Sequence, residues 1–192
     1  MFVHKIDDDL SLKLIDLGDA ERIFELTDQS RIYLREWLPW LDFTKTVDDT
    51  RAFIQATLRG FGESRSMTTV ILYKGEIAGI IGFNEINLMN KTTQIGYWLG
   101  KNYQGHGLMT RSARALTDYA FNVLNLNKVE IRAASGNQKS RHVPEKLGFL
   151  QEGTIRQAEW LYDHYVDHVV YGMLASEWNK EGSDHKKNKE VE

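Results

Sequence analysis

The chain reads as a mixed α/β domain, and three features of its 192 residues lead there. Short runs rich in β-branched and aromatic residues alternate with stretches whose apolar residues recur at helical spacing. The middle of the chain is a meander of hairpins rather than a series of βαβ units. Hydrophobic residues are 42% and charged residues 27%, a globular balance that excludes wholesale disorder, collagen and coiled coil. That length suits one large domain, expected over residues 1–178. Residues 179–192 carry many charges and one apolar residue, so a disordered tail is expected there.

The elements follow in order. Leu10 to Leu14 alternates and predicts a first strand. Asp19 is placed to cap a helix through Thr27, with Ile23, Phe24 and Leu26 on its apolar side. A second helical piece, residues 30–37, stops before Pro39. Thr46 and Asp49 form a capping box for a helix with Phe53, Ile54, Leu58 and Phe61 facing inward, ended by Gly62. Met67 to Tyr73 and residues 76–86 pair as a hairpin about a Lys74-Gly75 turn. Asn90-Lys91 turns the chain into a strand at residues 93–99. The helix expected at 108–124 buries Met109, Ala113, Leu116, Ala120 and Val123. A short strand at 129–134, a helix at 137–147 and strands at 150–159 and 166–174 complete the chain, with the last turn at Asp163-His164.

Composition limits the function. Lys plus Arg total 24 against 27 for Asp plus Glu, a net charge of −3, so no global basic footprint for direct nucleic-acid binding exists. Cysteine is absent, which removes disulfides, thiolate nucleophiles and Cys-type zinc sites. The opening residues, with three consecutive aspartates, lack the apolar region of a signal peptide. Apolar stretches such as residues 78–83 fall far below the roughly 18 residues that span a bilayer. A cytoplasmic protein without a membrane partner is expected; a homodimer is left open. His164 and His168, beside Asp163 and Asp167, lie four apart on a predicted turn and strand, where that spacing does not gather ligands on one side, so no metal is expected.

The segment from Tyr97 to Thr110 is a strand, a glycine-containing turn and a helix start. Gly105 and Gly107 let the backbone approach a ligand closely, and the free N–H groups and dipole of the helix start favour an anion. Arg111 and Arg114 are placed to add charge for outlying phosphates.

These residues, with a second group after residue 134, resemble the GNAT superfamily of acyl-CoA-dependent N-acyltransferases. The family's phosphate loop has Gln or Arg, then Gly three residues on, and Gln104 and Gly107 match it. A later family motif is met by Asn137, Ser140, Gly148 and Phe149. The text at residues 96–99 and 157–163 is similar to the RimJ/RimL branch, which acetylates N-terminal amines of ribosomal proteins. Two positions depart: Met109 stands where the family has Gly or Ala, and Pro144 stands where many members carry a Tyr general acid.

The resemblance implies a GNAT-type fold, a twisted, mostly antiparallel sheet split by a V-shaped acyl-CoA cleft between residues 93–99 and 129–134 and flanked by helices. It implies acetyl-CoA as co-substrate, held by Trp98, Leu99, Gln104, Gly105, His106, Gly107, Leu108, Met109, Thr110, Asn137 and Ser140. Ser140, or a water it holds, would protonate the leaving thiolate. The acceptor would be a protein N-terminus or, on the same scaffold, a small amine; a non-catalytic acyl-CoA-binding module is the third reading. Lacking Cys and a strained serine elbow, the chain is expected to let the amine attack directly. An α-amine with pKa about 7.7–8.0 is roughly one-tenth neutral at pH 7, so a weak base suffices. Glu85 is the candidate base. Trp37, Trp40, Phe43, Trp160 and Tyr162 are candidates for an acceptor groove, with core packing the default for most of them.

Overall fold

The computed structural model describes residues 3–178; the charged segment 179–192 lies outside the described residues. Its strands are β1 (Val3–Lys5), β2 (Leu10–Leu14), β3 (Met67–Tyr73), β4 (Glu76–Asn87), β5 (Thr92–Leu99), β6 (Lys128–Ala134), β7 (Leu150–Leu161) and β8 (His164–Leu174). Its α-helices are α1 (Ala20–Gln29), α2 (Arg31–Arg35), α3 (Val47–Gly62), α4 (Leu108–Asn122) and α5 (Gln138–Lys146). The strands form one sheet in the order β1-β2-β3-β4-β5-β6-β8-β7. Every neighbouring pair is antiparallel except β5 and β6. Among the described residues no helix is long and apolar enough to cross a membrane.

Local chemistry explains the boundaries. Thr46 Oγ1 accepts from the Asp49 amide and Asp49 Oδ2 accepts from the Thr46 amide, so the expected capping box starts α3. Lys74 and Gly75 both have positive φ, 52° and 86°, which matches the hairpin turn between β3 and β4 to the sheet twist. Asp19 departs from its expected role. Asp16 and Asp19 box a short 3₁₀ turn instead, and both Asp19 carboxylate oxygens accept from Lys13 Nζ at 2.6 Å.

Two apolar layers cover the two faces of the sheet. The larger joins Ile81, Phe83, Ile95, Ile131 and Tyr171 to α4 and to Val143 and Leu147. The smaller joins Val70, Ile77 and Ile80 to Ile23 and Leu26 of α1 and Ile54 of α3. Ile54 is buried as expected, but Phe53 and Phe61 are 44% and 43% exposed, and Val123 is 56% exposed. Helical spacing overestimated these faces because α3 buries a stripe narrower than its apolar set and Val123 falls just past the end of α4. β1 carried no sequence signal, because all three of its residues are exposed on a sheet edge. The last turn is Tyr162-Asp163, one residue earlier than expected, with Tyr162 at φ 58°.

Candidate active site

β5 and β6 pair in parallel only from Thr92↔Lys128 to Ile95↔Ile131. Beyond Ile95 β5 continues to Leu99, while β6 continues to Ala134 still bound to β8. The two strands therefore part, and the edge of β5 at Tyr97–Leu99 that faces β6 has no strand partner. Two cavities of about 690 Å³ and 670 Å³ open at this point. Both are lined by Trp37, Leu38, Tyr97, Trp98, Asn137 and Ser140, so they meet at those side chains.

The first cavity runs to the turn before α4. Gly105 has φ 83°, and Gly107, the residue that caps α4, has φ 66°. Those left-handed conformations lead the chain into α4, whose first residues, with N–H groups that have no helical partner, line the cavity. Leu108 and Met109 line the cavity yet are nearly buried and belong to the larger core. The Met109 side chain is thus accommodated in the core. Thr110, Gln104 and Leu99 also line this cavity. Gln104 Oε1 accepts from Lys139 Nζ at 3.0 Å, whereas its buried Nε2 has no partner among the described residues. An orphaned amide donor beside a helix start and a lysine fits the phosphates and amides of acetyl-CoA.

Three expected contributors sit elsewhere. His106 does not line the cavity; it stacks on Tyr73 with centroids 5.7 Å apart. Arg111 is paired with Asp7, and the Arg114 guanidinium lies 5.1 Å over the ring of Trp178. The cations that do line the cavity are Lys139 and Lys146, with His142 beside them. Their spacing on α5 was readable, but only the fold places α5 against the phosphate turn.

At the junction, Asn137 caps α5 by accepting from the Ser140 amide at 3.1 Å. Pro144 has no N–H to give the Ser140 carbonyl four residues back. The Tyr97 hydroxyl donates there instead, at 2.9 Å, and Ser140 Oγ donates to the same phenol oxygen at 3.4 Å. Burial holds the Tyr97 phenol far above the ordinary tyrosine range, against the opposing pull of the Ser140 bond, so it stays protonated.

The second cavity crosses the α1/α3 face of the sheet. Trp37, Trp40 and Phe43, candidates for an acceptor groove, line it. Trp160 and Tyr162 do not: Trp160 packs edge-on against Tyr165 at 4.8 Å, and the Tyr162 hydroxyl donates to the Leu38 carbonyl at 2.6 Å. Glu85 is not among the lining residues either; it is exposed on β4, its carbonyl accepting from Thr93 Oγ1. The carboxylate and imidazole on this wall are Glu159 and His168, 3.3 Å apart. A break in the β7–β8 register, Ile155↔His168 and then Glu159↔Val166, loops out residues 156–158 and brings Glu159 back beside His168. Gln157 takes φ 48° within that bulge and Asp167 Oδ1 accepts from its amide at 2.7 Å. A glutamine at 157 does not announce such a turn, so the pair was hidden in the sequence.

The model of the acetyltransferase (GNAT) domain matches residues 9–150. A Bacillus subtilis protein named putative ribosomal N-acetyltransferase YdaF is 36% identical over 94% of this chain and 100% of its own. The ribosomal-protein-serine acetyltransferase of Escherichia coli is 29% identical over 88% of this chain and 95% of its own. Among solved structures, RimL, a ribosomal L7/L12 α-N-protein acetyltransferase in complex with coenzyme A, superposes with a TM-score of 0.86 at 28% identity, over 90% of this chain and 98% of that one. The cleft, the phosphate turn and the matched residues together place this chain in the GNAT acetyltransferase family, as an acetyl-CoA-dependent N-acetyltransferase.

Proposed function

We propose that the enzyme acetylates the N-terminal α-amine of a protein, of the ribosomal-protein type, in the cytoplasm. The observation that carries this reading is the charge of the acceptor cavity. Among the described residues that line it, Glu159 is the one carboxylate, beside His168, with Arg132 as the one permanent cation. One amine finds a base there; the further ammonium groups of a polyamine find no carboxylate. Likeness to proteins named for ribosomal-protein acetylation supports the same choice.

Acetyl-CoA supplies the activated acyl thioester. Lys139, Gln104 and the α4 N–H groups would hold its phosphates, and the free edge of β5 at Trp98 and Leu99 its amide arm and carbonyl. The neutral amine attacks the thioester carbon and the C–S bond breaks. The amine's surplus proton passes to the Glu159–His168 pair, directly or through water, and the departing thiolate takes a proton from Ser140, which regains one from solvent as the base releases its own, or from a water that Ser140 holds. Tyr97 fixes Ser140 in place and keeps its own proton. Incubation with acetyl-CoA and a Ser- or Ala-starting peptide, followed by mass analysis of the amine modified, tests the reading; an unmodified peptide beside acetylated spermidine refutes it.

A further inference from the structure

The acetyl-transfer chemistry leaves unused the groups that floor the acceptor cavity. Phe83 of β4 pairs with Ile95 and Glu85 pairs with Gln94, so Asn84 between them is the extra residue of a bulge. Bulges beside a site commonly re-aim one side chain. Here the carboxamide lies flat over Gly96: a Cβ placed on that glycine would sit 2.5 Å from Asn84 Nδ2 and 2.6 Å from Oδ1. Gly96 pairs with Gly82, which leaves the floor bare of other side chains at that point, and Gly96 precedes Tyr97 in the chain. Asn84, Gln94, Gly82 and Gly96 all line the cavity.

A second observation points the same way. Thr50 of α3, on the wall of the same cavity, is 3% exposed, and its Oγ1 has no partner among the described residues. A buried hydroxyl without a partner is costly, and this one belongs to a residue of the cavity wall. Neutral hydrogen-bonding groups therefore face a ligand where carboxylates do not.

We propose that this floor is a peptide-backbone subsite, in which the Asn84 carboxamide pairs with a peptide group of the acceptor's first residues. A carboxamide offers one acceptor oxygen and an NH₂ donor in one plane, the complement of a peptide C=O and N–H. The sheet order puts β8, with His168, two strands from β5 and across the point where β5 and β6 part, so the span is at least about 10 Å, which an extended chain of about three or more residues covers. An amine delivered to Glu159 and His168 thus trails its first peptide groups toward Asn84. The inference rests on the N-terminus reading and adds to it what distinguishes a peptide from a bare amine.

Asn84→Leu keeps the shape over Gly96 and removes both hydrogen-bonding groups. Binding of a Ser-starting hexapeptide to the enzyme saturated with coenzyme A is measured by calorimetry, and initial rates are compared for the peptide and for 2-aminoethanol, an amine without a carbonyl. The subsite requires the peptide's Kd and KM to rise about tenfold, with the KM for acetyl-CoA and the kcat/KM for 2-aminoethanol unchanged. Asn84→Ser carries the same expectation should the leucine variant fold poorly. Unchanged peptide Kd and KM, or equal losses with peptide and 2-aminoethanol, overturn the subsite. Wild-type enzyme that acetylates spermidine and no peptide overturns the N-terminus reading itself, a separate outcome.

Discussion

The Tyr97 hydroxyl donates to the Ser140 carbonyl at 2.9 Å, taking the place of a helical N–H that Pro144 lacks. The proline that stands where many family members carry a tyrosine acid thus also ties the neighbouring serine to a half-buried tyrosine. Ser140→Ala is expected to lower kcat roughly 100-fold if the serine is the main acid, with a much smaller change in acetyl-CoA affinity. Tyr97→Phe, which keeps the ring, is expected to lower kcat by about tenfold through the loss of Ser140 positioning. In the Ser140→Ala background the tyrosine change should add little, because both act on one group. Since burial holds the phenol above its ordinary range, Tyr97→Phe should scale the pH–rate curve without changing its shape.

Gly107 caps α4 at φ 66°, and a Cβ there would meet nothing within 4 Å. Gly107→Val therefore acts through backbone strain rather than collision. Turning the first N–H groups of α4 away should weaken coenzyme A binding tenfold or more, about 1.4 kcal/mol. Calorimetry on the folded variant checks it; unchanged affinity would remove the turn from the binding site.

The strand order of the meander, the capping box at Thr46 and the glycine turn before α4 were legible because each depends on residues close in sequence. Asn137 and Ser140 were legible through the resemblance to the family's later motif, and the fold brings both to the junction of the two cavities. What escaped was long-range. The contact between Glu159 and His168 needs the bulge at Gln157, and the pairing of Arg111 with Asp7 joins residues far apart in the chain. Glu85 looked apt because it ends a strand near the cleft, but the extra residue at Asn84 changes which side chain faces the cavity.

Lys13 is 4% exposed and bridges Asp16 and Asp19 at 2.8 and 2.6 Å. Lys13→Met leaves the buried Asp19 carboxylate uncompensated and should destabilise the fold by about 3–5 kcal/mol. Burial alone would lower the lysine's pKa, but bonds and charges from the two aspartates raise it overall, so its contribution holds at neutral pH and fades only above the ordinary lysine range. Its hydrogen bond holds the Asp16 carboxyl low, so that contribution fades as pH falls below the ordinary carboxylate range. Denaturant melts at acid, neutral and alkaline pH test both limbs; equal stability of variant and wild type at neutral pH would contradict the assignment.

Glu85 and Glu159 make opposite predictions. Glu85→Gln should leave kcat/KM nearly unchanged, since the side chain is off the cavity wall. Glu159→Gln should lower it by about tenfold at neutral pH with a peptide acceptor, because an α-amine is already roughly one-tenth neutral there. Rates with a Ser-starting peptide should rise with pH and level off near the α-amine's own pKa of about 8. A larger loss in the Glu85 variant than in the Glu159 variant would reverse the assignment.

The most direct test of N-terminal acetylation is competition in one vessel. Purified enzyme receives limiting acetyl-CoA with equal concentrations of a Ser-starting peptide and spermidine at neutral pH, and the two acetylated products are quantified by mass. With one carboxylate–imidazole pair and no further carboxylate on the described cavity wall, the account predicts that acetylated peptide predominates by at least about tenfold. Acetylated spermidine in excess over acetylated peptide would contradict it.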